Sequence, residues 1–265
     1  MENPYQPPQI PQTPESSPPP LPAAVKAPWN GWWTLLWVVL LIVAWQILAG
    51  IGIIIAAAQR GIFQDLSDSD RVEEALLELA LDGDIAGLLT FVTIFLVCPL
   101  CWLLGQVRPG FTGWEYLGKE RPKWWHWFVW SAAVLGINAL FTLIAPHLGV
   151  HGTDESMVKM GTSTQYPILL YLGVAVGAPF VEEFIFRGTI WRGWRASKLG
   201  LRGALVATSL CWAVLHVQYP VAIIAYIFFF GLVLGLAREK TGNIWVPVWM
   251  HALNNGLATY EMLKL

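Results

Sequence analysis

Apolar residues gather along this chain into seven segments, at residues 32–58, 85–104, 124–148, 166–194, 204–217, 221–236 and 244–262. A helix needs about 20 predominantly apolar residues to cross a bilayer, and most of these segments come near that length. The fifth and sixth are short, and Tyr219-Pro220 supplies the break between them. The pattern predicts an all-α protein, a polytopic transmembrane helix bundle with about seven spans. After the first span, residues 64–84 form an acidic loop whose stretch 71–80 has helical spacing suited to lying on a membrane surface.

Composition agrees with that reading. Hydrophobic residues make up 55% of the chain and charged residues only 13%, against about 25% charged in soluble domains. The sixteen tryptophans suit the aromatic belts of bilayer interfaces, with anchors expected at 29–37, 124–130 and 191–194. Twelve of the sixteen Lys and Arg residues lie in 1–31, 105–123, 187–202 and 238–243. The positive-inside rule then places the N-terminus in the cytoplasm and, with seven spans, the C-terminus outside. Net charge is −2, with no basic run or nucleic-acid motif, so a nucleic-acid partner is not expected. Cys98, Cys101 and Cys211 fall in apolar segments and read as packing residues rather than a disulfide framework. The Pro-, Gln- and Ser-rich stretch 1–28 reads as a disordered tail without a cleavable signal pattern.

Polar residues interrupt three of the apolar segments. Glu182, Glu183 and Arg187 sit in the fourth, His216 in the fifth, and His251 with Asn255 in the seventh. Ionisable groups at membrane depth are costly and mark functional sites by default. If the fourth helix continues to about Ser197, Glu182 lies about 22 Å from its cytoplasmic end. His216 lies about 21 Å beyond Arg202, and His251 and Asn255 about 15 and 21 Å beyond Thr241. Three helices thus bring polar groups to one level, which favours a single site.

Spacing separates the roles. Glu183 and Arg187 are i,i+4 and suit an ion pair, whereas Glu182 points about 100° away and is left for chemistry. His251 and Asn255 are also i,i+4 and address one direction. Pro179 and Pro247 weaken helix hydrogen bonding beside these residues, and a wet pocket near Glu182 follows. His126, His147 and His151 receive no role. The set has the inventory of an intramembrane hydrolase: a base, a hydrogen-bonding partner and an oxyanion site.

At these residues the chain resembles the CPBP family of intramembrane proteases, which includes CAAX prenyl endopeptidases and bacterial bacteriocin-processing or immunity proteins. Glu182, Glu183 and Arg187 match its two-glutamate motif, Trp212 and His216 its aromatic–histidine motif, and His251 with Asn255 its third. Trp212 departs from the usual phenylalanine, a change expected to affect packing rather than chemistry. The resemblance covers about 170–265. It implies that Glu182 and His216 activate a water while His251 and Asn255 stabilise an oxyanion, as in glutamic rather than metal-dependent peptidases. The domains that follow are a Pro-rich cytoplasmic tail at 1–28, N-terminal spans with an acidic external loop at 29–165, and a catalytic core at 166–265.

Three functions remain open. The first is an intramembrane endopeptidase without a cofactor, in a bacterial plasma membrane, acting on a peptide, a bacteriocin-like precursor or a CAAX-type membrane protein. The second is a zinc peptidase using His216, His251 and a glutamate, although no His-Glu-x-x-His sequence is present. The third is a non-catalytic immunity or scaffold protein. The lipid bilayer is the expected surroundings in every case.

Overall fold

The computed structural model describes residues 26–264, so the tail expected at 1–28 lies, up to residue 25, outside the described residues. The architecture is helical throughout these residues. The long helices are α1 (Gly31–Gln59), α3 (Gly83–Gln106), α5 (Trp124–Ile144), α7 (Pro167–Arg195), α8 (Gly200–Val214), α9 (Val221–Thr241) and α10 (Trp245–Met262). Shorter ones are α2 (Ser69–Ala80), α4 (Gly113–Leu117) and α6 (Glu155–Ser163). The seven apolar segments thus become seven helices. Those at 31–59, 83–106, 124–148, 167–195 and 221–241 are long and apolar enough to cross a membrane. The remaining two are α8, with 15 residues, and α10, with 18, which carries much of the polar site.

Several helix starts are written locally. Asn30 caps α1, Asp68 caps α2, Asp82 caps α3 and Asp154 caps α6, each side chain accepting from a first-turn backbone N–H. Thr112 and Glu115 form a reciprocal capping box that starts α4. The stretch expected to be helical at 71–80 lies within α2.

Burial singles out α7. Every residue from Val181 to Trp191 is buried, whereas α1 and α5 expose most of their apolar side chains, as lipid-facing helices do. Helices α1, α3, α8, α9 and α10 pack around α7. The α3–α7 crossing is backbone against backbone: a Cβ on Gly173 would stand 2.3 Å from the Gly87 carbonyl oxygen. Only glycine allows that approach.

Connectivity follows the alternation of charge. One end of the bundle joins Lys26 to Glu115 (3.2 Å), Arg195 to Glu239 (2.8 Å) and the Asn243 amide to the Glu120 carbonyl (2.6 Å). The other end joins Arg60 to Asp82 (3.0 Å), Lys159 to Glu78 (3.8 Å) and the Gly83 N–H to Ser163 (2.9 Å).

Two expectations are corrected. The fifth segment does not run as helix to Val217: α8 begins at Gly200 and ends at Val214, leaving His216 in a turn. Tyr219 precedes Pro220, and the residue before a proline is pushed out of the helical region. Trp191 and Trp194 are not anchors at a lipid interface, being 3% and 8% exposed and part of the core. The Trp194 indole donates to the Gly31 carbonyl at 3.3 Å, which ties α7 to the start of α1.

Candidate active site

The middle of α7 departs from α-helical hydrogen bonding twice, in π-type stretches at Leu172–Gly177 and Phe184–Ile190. Pro179 and the glutamates lie between and beside them. Such widened turns arise where the helix ladder is interrupted, and they recur at functional sites. Val174 shows the local cause. A π register pairs its carbonyl with the residue five positions on, and that residue is Pro179, which has no N–H. The Asn255 side-chain amide supplies the missing donor at 3.1 Å.

Glu183 and Arg187 are both 0% exposed. Arg187 Nη1 donates to Glu183 Oε1 at 2.8 Å, as their i,i+4 spacing predicts, and Nη2 donates to the Gly231 carbonyl on α9 at 3.1 Å. His251 Nδ1 meets the same Glu183 oxygen at 2.9 Å. An ionised carboxylate only accepts, so Nδ1 carries the proton of that bond. The other ring nitrogen, Nε2, faces Glu182 Oε2 at 4.0 Å. An ordered chain therefore runs Arg187–Glu183–His251–Glu182 across α7 and α10.

Glu182 is unlike its neighbour. It keeps 7% of its surface, and Arg187 does not pair with it. Its Oε2 accepts from the Trp212 indole Nε1 at 2.5 Å, and among the described residues no hydrogen bond takes its Oε1. This overturns the expectation that Trp212 changes packing alone: a phenylalanine there has no N–H to give. The Trp212 ring also lies 4.7 Å from the Arg187 guanidinium and edge-on to His251 at 5.1 Å. Two carboxylates and one guanidinium leave one uncompensated negative charge in a buried set. A single proton on Glu182 or His251 balances it.

His216 reaches this cluster through Trp212. Its Nδ1 lies 2.9 Å from the Trp212 carbonyl, an acceptor only, which puts the proton on Nδ1 and leaves the Nε2 lone pair open. Its ring is 5.5 Å from the indole and stacks on Tyr219 at 6.2 Å. Burial raises the Tyr219 phenol, and the nearby charges of Asp154 and Glu182 add to the effect. Gln218 and Pro220, on either side of Tyr219, line a cleft of about 590 Å³ with the loop at 149–156. His216 and Tyr219 thus occupy the edge of the buried cluster rather than its centre.

Asn255 lies one turn along α10 from His251 and faces the widened turn of α7. Its Oδ1 accepts from Asn254 at 3.2 Å. Asn254 in turn accepts from Asn138 on α5 (3.0 Å) and from the Tyr226 hydroxyl on α9 (2.5 Å). Asn138, Tyr226 and Asn254 were not singled out from the sequence. The one available signal was an asparagine inside an apolar run at 138 and a doubled asparagine at 254–255. Among the described residues, no group of three or more His, Cys, Asp or Glu side chains is arranged to hold a metal ion.

Residues 164–257 match the family model described as type II CAAX prenyl endopeptidase Rce1-like. The chain is also similar to an uncharacterized 24.3 kDa protein of Escherichia coli, at 30% identity over 140 residues, covering 51% of this chain and 63% of the relative. The chain therefore spans less than two thirds of that relative's length. No solved structure matches it.

Proposed function

We propose that this protein is an intramembrane endopeptidase, a reading supported by the match of residues 164–257 to the Rce1-like type II CAAX prenyl endopeptidase model. The observation that carries this reading is the contrast between two adjacent buried glutamates. Glu183 is fully buried and neutralised through Oε1 by Arg187 and His251, its Oε2 sealed in without a partner, while Glu182 has no paired guanidinium, holds Oε2 against Trp212 and keeps some exposed surface.

In the proposed reaction Glu182 Oε1 takes a proton from water as the water oxygen attacks the peptide carbonyl carbon. The open Nε2 of His216 assists in holding that water. The tetrahedral intermediate places its negative charge near α10, where the second amide hydrogen of Asn255 and a protonated His251 are the donors. Donors aimed at a developing oxyanion are commonly worth about 3–4 kcal/mol each. Collapse breaks the C–N bond, and Glu182 returns its proton to the departing amine. No metal is needed in this scheme. Glu183 Oε1 is already shared by a guanidinium and an imidazole, which leaves it poorly suited as a metal ligand.

The proposed substrate is a peptide or membrane-tethered protein, within which bacteriocin-like precursors and CAAX-type proteins are the candidate classes. The proposed setting is a bacterial plasma membrane with the N-terminus cytoplasmic, because the basic segments collect at one end of the bundle. The test is cleavage of a quenched-fluorescent peptide library by detergent-purified protein, beside Glu182→Gln and with chelator. Cleavage lost in the variant, with its unfolding temperature unchanged and no effect of chelator, supports the proposal. Cleavage retained by Glu182→Gln overturns it.

A further inference from the structure

We propose that Trp212 is a positioning residue for this reaction, its indole N–H fixing Oε2 of Glu182 so that Oε1 is the oxygen presented to water. The inference rests on the endopeptidase reading and adds a part to it. The bond is direct, 2.5 Å from Nε1 to Oε2, and Trp212 is 2% exposed. The ring is held around its circumference. Arg187 lies over it at 4.7 Å, His251 meets it edge-on at 5.1 Å, and Phe230 packs at 6.2 Å. Gly231 makes the space for this, since a Cβ there would stand 3.1 Å from Trp212 Cε3 and 3.0 Å from Ser209.

The geometry has a consequence for Glu182. A carboxylate on a flexible three-torsion side chain presents either oxygen, in many orientations, unless something anchors it. Arg187 does not serve, because it is committed to Glu183 and Gly231. His251 Nε2 is 4.0 Å away, beyond a direct hydrogen bond. Among the described residues, the clamped indole is the donor that reaches Glu182. The same residue also accepts from His216 Nδ1 through its backbone carbonyl. Side chain and main chain of Trp212 thus orient the two groups proposed to hold the water. A phenylalanine would keep the second function and lose the first.

The discriminating variant replaces Trp212 with benzothienylalanine, which has the same bicyclic shape with sulfur in place of the N–H. Trp212→Phe is its natural counterpart. Both are expected to lower kcat for a peptide cleaved by the wild type by about ten- to a hundredfold, the effect of losing one donor to a charged group. KM and the unfolding temperature stay within error for the benzothienyl variant, which a purely structural role would not produce. An unchanged kcat in that variant overturns the proposal. A second readout needs no activity. The indole ¹⁵N–¹H resonance of Trp212, assigned by its loss in Trp212→Phe, is expected to shift upfield in Glu182→Ala; a resonance that stays in place also overturns it. If the wild type cleaves no peptide, the functional reading fails and the positioning role with it, while the resonance still reports the hydrogen bond.

Discussion

Replacing Arg187 with methionine removes the cation from the buried ion pair while keeping an unbranched, mostly apolar chain of similar length. Neither Arg187 nor Glu183 has any exposed surface, and their contact is 2.8 Å. The variant therefore leaves the buried Glu183 carboxylate without its guanidinium, with only the His251 imidazole against it, and takes from the Gly231 carbonyl its side-chain donor. Removing one member of a buried pair costs about 3–5 kcal/mol. For a protein of this size that corresponds to an unfolding temperature lower by roughly 6–20 °C, at about 2–4 °C per kcal/mol. The assay is thermal unfolding in detergent followed by far-UV circular dichroism. Adding Glu183→Gln in the same molecule removes the stranded charge and should return at least half of the loss, because the penalty lies in the orphan rather than in the missing attraction. Two results would refute this reasoning: a drop in Arg187→Met below about 2 °C, which is under 1 kcal/mol, or a double variant less stable than the single one.

Other perturbations test neighbouring parts of the argument. Gly173→Ala drives a Cβ into the Gly87 backbone and forces α3 and α7 apart, at about 1–3 kcal/mol; an unfolding temperature equal to wild type would show that the crossing is loose. Asn254→Leu strips the shared acceptor from Asn138 and Tyr226 and should cost about 1–3 kcal/mol, again read by thermal unfolding. Glu115 is held at about 2, first by the Thr112 backbone N–H and then by Lys119 and Lys26. Its folded-state value is depressed, so its stabilising share is present above the ordinary value of 4.5 and fades as pH falls toward 2. Carboxyl NMR should find Glu115 titrating near that lower limit in wild type and closer to 4.5 in Lys119→Met, which removes one of the cations bonded to it.

Particular residues show how far the sequence was legible. The Glu183–Arg187 pair, the separation of Glu182 from it, and the reach of α7 to Arg195 all followed from helix spacing and run length, and the structure has them. His216 was assigned to a helix that stops two residues earlier, because a proline four positions on shapes the turn before it. Trp191 and Trp194 looked like interface anchors from composition alone. Trp194 is buried where α1 starts, bonded to a residue more than 160 positions away along the chain, and the Trp191 ring lies against Gly235 of α9.

What the sequence by itself determined is what acts over one or two helical turns: which segments are apolar, which polar residues they carry, and which of those share a face. Those properties depend on covalent spacing and on the cost of polar groups in hydrocarbon, both written in the chain. What only the tertiary structure decided is who answers each polar group. Trp212, 30 residues from Glu182, and His251, 68 residues from Glu183, became partners through the crossing of α8 and α10 with α7. Crossing angles depend on side-chain shapes and small-residue contacts such as Gly87 with Gly173, summed over whole helix faces. No local pattern encodes that sum.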